Sequence, residues 1–124
     1  MNLDGLPARL FAGTSRVEIT PVDPISMGGY GQRAEQTSLG VHDPLFAKAL
    51  FLTDGRERLL FITADLISLP VGIYTQVLAA LTGAGVIDEA GLCMSASHTH
   101  SGPDVEESLI VAALTKQYLD KLVE

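Results

Sequence analysis

Three apolar runs of strand length, separated by one turn signal and one helical segment, constrain this fold more than any other feature. The runs near 45–53 and 58–65 flank the dipeptide Asp-Gly, which is typical of β-hairpin turns. The third run, 91–97, comes after a segment that follows Pro70 and carries apolar residues at helical spacing. Strand, helix and strand in that order predict a right-handed crossover, with 58–65 and 91–97 paired in parallel.

Two further elements complete the predicted architecture. Alternating polar and β-branched residues predict a strand at 15–20, and an apolar stripe predicts an amphipathic helix from about 105 to 123. Residues 21–44 are rich in Gly and Pro and predict a long loop, which is either functional or flexible. We therefore expect an α/β fold: a mixed sheet with a β-hairpin, then a right-handed β-α-β unit and a C-terminal helix. Residues 1–124 would form a single domain, a fragment of a larger α/β domain.

Composition restricts the classes of partner. A net charge of −7, from fifteen acidic and eight basic residues, argues against a nucleic-acid backbone or an anionic membrane face. No apolar run reaches the roughly 20 residues of a transmembrane segment, and no signal peptide is visible. We expect a cytoplasmic location, with secretion of a longer precursor left open. Cys93 is the only cysteine, which excludes an internal disulfide, and its apolar surroundings predict a buried thiol.

Two of the three histidines, His98 and His100, stand one residue apart at the end of the predicted strand 91–97. In open α/β sheets, ligands collect beyond the carboxyl ends of strands. On an extended chain both imidazoles would point the same way. Neutral imidazole is a common zinc ligand, and a catalytic zinc usually takes three protein ligands and water. The pair is thus a candidate metal or catalytic site, although surface or structural roles are common for such pairs.

Four further residues are candidates for the same cleft. Asp65 ends the neighbouring strand, where it either orients a histidine or caps the following turn. His42, followed by Asp43, either faces the crevice or makes a loop turn. Arg33 closes the stretch GGYGQR, which we interpret as a flexible cleft wall and not as a dinucleotide-binding motif. Ser101 lies beside the histidines and can donate a hydrogen bond.

A family resemblance accompanies these patterns. SASHTHSGPD resembles the signature of the neutral/alkaline non-lysosomal ceramidases and their bacterial relatives. AGTSRVEITP, GGYGQR, GVHDPLFAKALFLTDG and YLDKLVE resemble other N-terminal segments of that family's catalytic domain, in the same order. The resemblance implies a zinc-dependent amidase that cleaves ceramide into sphingosine and a fatty acid. It also implies that His98 is a zinc ligand and that His100 lies in the active site.

The same resemblance implies that this chain alone is inactive. In the family the remaining zinc ligands are a histidine, a glutamate and a tyrosine from later sequence, so the zinc site here would be incomplete. The expected partner is an N-acyl amide or sphingolipid-like substrate, and the uncovered sheet of a fragment predicts self-association. Two alternatives stay open: a metal hydrolase of the same ancestry with a non-lipid substrate, and a non-catalytic module that holds an anion at a helix N-terminus.

Overall fold

Four strands form one mixed sheet, which carries an α-helix on one face. The computed structural model describes residues 9–33 and 37–105. The elements are β1 Phe11–Glu18, β2 Phe46–Thr53, β3 Arg58–Ala64, α1 Val71–Gly83 and β4 Leu92–Ala96. The strand order is β1-β2-β3-β4; the first three strands are antiparallel neighbours, whereas β4 runs parallel to β3. The predicted α/β class with a mixed sheet is confirmed.

A tight turn joins β2 to β3. Asp54 accepts, through Oδ1, hydrogen bonds of 2.9 Å from the backbone N–H groups of Glu57 and Arg56. These donors hold the pKa of Asp54 below its ordinary value, because they stabilise the ionised carboxylate. Gly55 has φ 92°, a conformation that other residues rarely adopt. The Asp-Gly dipeptide therefore fixes this turn by its own local chemistry.

Proline and glycine mark the two ends of α1. Pro70 stands immediately before the helix, where its fixed φ and missing N–H cost nothing. At the other end Gly85 has φ 68° and donates to the carbonyl of Thr82, and Val86 donates to the carbonyl of Leu81. This pair of bonds is a Schellman motif, in which an αL glycine lets the chain satisfy the last helical carbonyls.

The buried side chains form two clusters. The first lies between α1 and the sheet and contains Leu60, Ile73, Val77, Ile87 and Leu92. The second lies where the chain leaves β3 and contains Ile19, Ala64, Leu66, Ile67 and Val105. Full burial of an Ile or Leu side chain stabilises by roughly 1.5–3 kcal/mol. The second cluster matters for function because it supports the loop that follows β4.

The structure differs from expectation at the first strand and at Cys93. The first strand was predicted at 15–20 but runs from Phe11 to Glu18, since β1 pairs with β2 along its whole length. Cys93 was predicted to be buried but is exposed, because it faces away from α1 whereas Leu92 and Met94 pack on the α1 side. The predicted C-terminal helix lies, apart from Val105, outside the described residues. Within the described part of the chain, no helix has the length and apolarity needed to cross a membrane.

Candidate functional site

The two histidines lie in a loop that leaves the carboxyl end of β4. This loop is attached to the segment that leaves the parallel neighbour β3. The N–H of Ser97 donates to the carbonyl of Ala64 at 2.9 Å, and the N–H of Thr99 donates to that of Leu66 at 3.3 Å. Because Ala64 and Leu66 belong to the buried cluster beneath, the histidine loop rests on a rigid support.

His98 is held in an unusual backbone conformation. Its φ is 59°, the one positive φ among the described residues other than glycine. Its Nδ1 lies 2.8 Å from the carbonyl oxygen of Ile67. A carbonyl only accepts, so Nδ1 donates its hydrogen and Nε2 of the neutral ring keeps its lone pair. His98 is exposed, and Nε2 is therefore the ring nitrogen available to a ligand.

His100 packs between His98 and the glycine loop. The rings of His98 and His100 have centroids 5.0 Å apart and an interplanar angle of 74°. The ring of Tyr30 meets His100 in a similar edge-on arrangement, with centroids 4.8 Å apart and an angle of 79°. A Cβ on Gly29 would lie 2.6 Å from Cγ of His100, so only glycine allows this approach. The His100 ring thus has neighbours on two sides.

Backbone hydrogen bonds join the glycine loop to the chain that follows the histidines. The N–H of Gly28 donates to the carbonyl of Gly102 at 3.1 Å, and the N–H of Asp104 donates to that of Ser26 at 2.8 Å. Met27 and the residue after Gly102 form an isolated antiparallel bridge between these bonds. Part of the long loop 21–44 therefore folds over the carboxyl edge of the sheet.

The two histidines are close together, but not because they are two residues apart on an extended strand. β4 ends at Ala96, and the positive φ of His98 breaks the extended chain before the second histidine. The expectation that both imidazoles point the same way on extended chain was therefore wrong in its local geometry. Their proximity comes instead from two separate contacts. The carbonyl of Ile67 binds His98, whereas Gly29 and Tyr30 pack against His100.

The other candidate residues occupy different places. The carboxylate of Asp65 accepts the backbone N–H of Phe46 at 3.0 Å, and so ties the end of β3 to the start of β2. Nδ1 of His42 lies 2.8 Å from a carboxylate oxygen of Asp43, and the two side chains are 97% and 85% exposed. The backbone of Arg33 ends a short 3₁₀ helix.

A cavity of about 410 Å³ opens beside the histidine loop. Thr99 and Ser101, which alternate with the histidines, belong to its wall, together with His42, Asp43 and Met27. The N–H of Ser101 donates to Oγ1 of Thr99 at 3.2 Å, which keeps this segment curled. The cavity has the size of small-molecule sites, and both His42 and Ser101 line it although they are far apart in sequence.

Among the side chains of this loop, His98 has the hydrogen-bonding pattern of a zinc ligand. A metal-binding histidine usually donates its second ring N–H to a carbonyl or carboxylate, as His98 does to Ile67. Among residues 9–33 and 37–105, no three His, Cys, Asp or Glu side chains form a group that could hold a metal. Within those described residues, the chemistry of His98 suits one metal ligand, and the other ligands of a tetrahedral site are not found among them.

Tyr30 and Gly29 are the residues that sequence reasoning undervalued. The stretch GGYGQR was interpreted as a flexible wall, yet two of its residues contact His100 directly. The sequence feature that could have identified them is an aromatic residue between glycines in a long loop. Its contact with His100 is visible only in the tertiary structure.

A mixed sheet with a histidine pair beyond the carboxyl end of a parallel strand is the arrangement of an α/β protein with an edge site. Residues 11–121 match the family model "Neutral/alkaline non-lysosomal ceramidase, N-terminal". The chain belongs to this ceramidase family.

Individual relatives agree with this assignment. The neutral ceramidase of Pseudomonas aeruginosa is 33% identical over 105 residues, covering 81% of this chain and 15% of the relative. Its crystal structure superposes with a TM-score of 0.69 at 30% identity, over 79% of this chain and 16% of that one. A structure of a ceramidase complexed with C2 gives a TM-score of 0.77 at 27% identity, over 94% and 20% of the two chains. This chain thus spans about 15% of the length of the curated relative.

Proposed function

We propose that this chain provides the N-terminal part of a zinc-dependent amidohydrolase that cleaves the N-acyl bond of ceramide or a similar lipid amide. Family membership supports a hydrolase of this class. The observation that carries the metal assignment is the hydrogen bond from Nδ1 of His98 to the carbonyl of Ile67, since it leaves Nε2 free in a fixed direction. The remaining ligands would come from sequence outside residues 1–124.

Zinc at such a site would polarise the amide carbonyl and lower the pKa of water to about 7. The role of His98 is to present Nε2 without reorganisation, because the Ile67 carbonyl has already fixed its ring. The exposure of His98 leaves that nitrogen accessible from solvent. An amide needs this assistance because its carbonyl is a weak electrophile.

The role proposed for His100 is proton transfer or hydrogen bonding at the amide. Its ring centroid lies 5.0 Å from that of His98, so the two rings are in contact and a substrate group bound beside them could reach both. A histidine within hydrogen-bond reach of the leaving nitrogen can donate a proton to it, and one near the carbonyl oxygen can stabilise developing negative charge. A half-buried histidine held by Tyr30 suits either role better than a free surface side chain.

We also infer that the connection from β3 through α1 to β4 is right-handed, as nearly all parallel crossovers are. In this proposal residues 1–124 form one unit of a larger catalytic domain. The match to relatives several times longer supports that placement.

The proposal is tested with a chain extended to the length of its relatives. We expect hydrolysis of N-acyl-sphingosines in the presence of zinc and its loss with a chelator. His98→Ala should abolish hydrolysis, whereas Gln76→Ala, on the exposed side of α1, should not change it. Hydrolysis of N-acyl amino acids, assayed beside that of N-acyl-sphingosines, distinguishes an enzyme for lipid amides from one for non-lipid amides. An extended chain that contains zinc but cleaves none of these amides would contradict the proposed activity.

A further inference from the structure

We propose that Tyr30 is a positioning residue for His100, and that Gly29 is glycine so that Tyr30 can reach it. The functional part of this inference rests on the proposed function above. It concerns the orientation of the second histidine, which the hydrogen bond to Ile67 does not fix.

Described contacts constrain each of the two histidines. His98 has a hydrogen bond from Nδ1 to a carbonyl and a constrained backbone. His100 has two aromatic neighbours, His98 and Tyr30, with ring centroids at 5.0 Å and 4.8 Å and near-perpendicular planes. Edge-to-face pairs in this range are favourable by roughly 0.5–1.5 kcal/mol beyond burial. Such a contact limits ring rotation.

Gly29 makes this contact sterically possible. A Cβ there would lie 2.6 Å from Cγ and 2.8 Å from Nδ1 of His100, distances that real Cβ atoms do not show. Its φ of 95° also belongs to the region that favours glycine. Two independent constraints, space and backbone angle, therefore require glycine immediately before the tyrosine.

The glycine loop is anchored well enough to act as a support. The bonds Gly28 to Gly102 and Asp104 to Ser26 join it to the chain on the far side of the histidines. A Cβ on Gly28 would lie 3.0 Å from Cγ2 of Ile67, the residue whose carbonyl binds His98. One packed unit thus carries the supports of both imidazoles, so their relative orientation is set before any ligand binds.

The test uses side-chain NMR of the 124-residue chain, which has only three histidines. His100→Asn assigns the ring signals of His100, and the exposed His42 is the internal reference. We expect nuclear Overhauser contacts between the rings of Tyr30 and His100, and a ring-current displacement of the His100 signals. Tyr30→Phe should retain both, whereas Tyr30→Leu should lose both and leave His42 unchanged.

Gly29→Ala provides a second variant that leaves the tyrosine in place. We expect it to remove the contact between the rings, because the added methyl group occupies the position of the His100 ring. His100 signals that are the same in the parent chain and in Tyr30→Leu, with the amide spectrum of the core unchanged, would overturn the proposal. If Gly29→Ala does not fold, Tyr30→Leu still tests the proposal, because that substitution adds no steric conflict.

The functional consequence has its own measurement. In the extended chain, Tyr30→Leu should lower kcat on the order of tenfold with little change in KM, and Tyr30→Phe should be close to the parent protein. Zinc added to the 124-residue variants should still perturb the His98 signals. In the extended chain, failure to hydrolyse any of the amides would count against the proposed function, whereas absence of ring contacts between Tyr30 and His100 in the parent chain would count against this inference.

Discussion

Nδ1 of His98 and the carbonyl oxygen of Ile67 lie 2.8 Å apart, and this bond joins the two segments that leave the parallel strands β3 and β4. The donor is a candidate catalytic-site side chain, whereas the acceptor belongs to a residue buried in the core. The orientation of His98 is therefore coupled to core packing. The bond leaves Nε2 as the ring nitrogen of His98 that can bind a metal.

The 124-residue chain should bind zinc weakly or not at all. His98 supplies one nitrogen and His100 at most a second, whereas a stable zinc site needs four ligands. Isothermal titration should show weak binding that His98→Ala reduces by at least about tenfold. His42→Ala should leave the affinity unchanged. Tight binding of one zinc per chain that His42→Ala abolishes would instead mean that His42 completes the site.

Two glycines should respond in opposite directions to replacement by alanine. A Cβ at Gly91 would lie 2.5 Å from the carbonyl oxygen of Arg58, so Gly91→Ala should destabilise the fold by about 1–3 kcal/mol. Gly72 lies in α1 with no atom within 4 Å of an added Cβ, so Gly72→Ala should stabilise by roughly 0.5–1 kcal/mol. Urea unfolding measures both changes. Equal effects of the two substitutions would contradict the packing described for Gly91.

The turn between β2 and β3 should make a pH-dependent contribution to stability. The N–H groups of Glu57 and Arg56 lower the pKa of Asp54 from its ordinary 3.8. A group with a lowered folded-state pKa stabilises above its ordinary pKa, and this contribution disappears as the pH falls through the folded value. Asp54→Asn should therefore destabilise the chain at neutral pH, and this difference should shrink as the pH falls below 3.8.

Urea unfolding of both chains at several pH values is the measurement. Asp88→Asn is the matched control, since Asp88 is also exposed and its side chain makes no capping hydrogen bond. A pH-independent difference for Asp54→Asn would show that the charge of the carboxylate is not what stabilises the turn.

The 124-residue chain should self-associate as its concentration rises. Leu50, Leu59 and Phe61 are 37%, 44% and 38% exposed on the sheet face opposite α1, and Leu50 stands beside Phe61 across β2 and β3. Burial of such apolar surface between two chains stabilises their association by roughly 25 cal/mol per Å². This gain offsets the electrostatic repulsion between chains that each carry a net charge of −7. Light scattering across a concentration series should show an increase in mass, which Leu59→Lys should reduce.

Cys93 offers a second measurement of the same association. It is exposed on that face and lies beside Phe61 in the parallel pair. Its reaction with a thiol reagent should slow at high chain concentration if this face is the contact. A chain that stays monomeric at every concentration, with constant thiol reactivity, would contradict the prediction.

The sequence determined the elements whose causes are local. β2, β3 and β4 lie within about one residue of their predicted ranges, because alternation and the Asp-Gly turn act over short distances. α1 begins after Pro70 and ends before Gly85 for the same reason. The histidine pair and its place after β4 were also visible in the sequence, and the family resemblance agrees with the match over residues 11–121.

Only the tertiary structure decided how the histidines are held. The φ of His98 and the contacts of His100 depend on Ile67, Gly29 and Tyr30, which lie 31 or more positions away along the chain. The start of β1 was likewise set by pairing with β2, and the exposure of Cys93 by which face of the sheet α1 covers. Periodicity reports which face of an element is apolar, but it carries no information about which distant backbone carbonyl or ring will meet a given side chain.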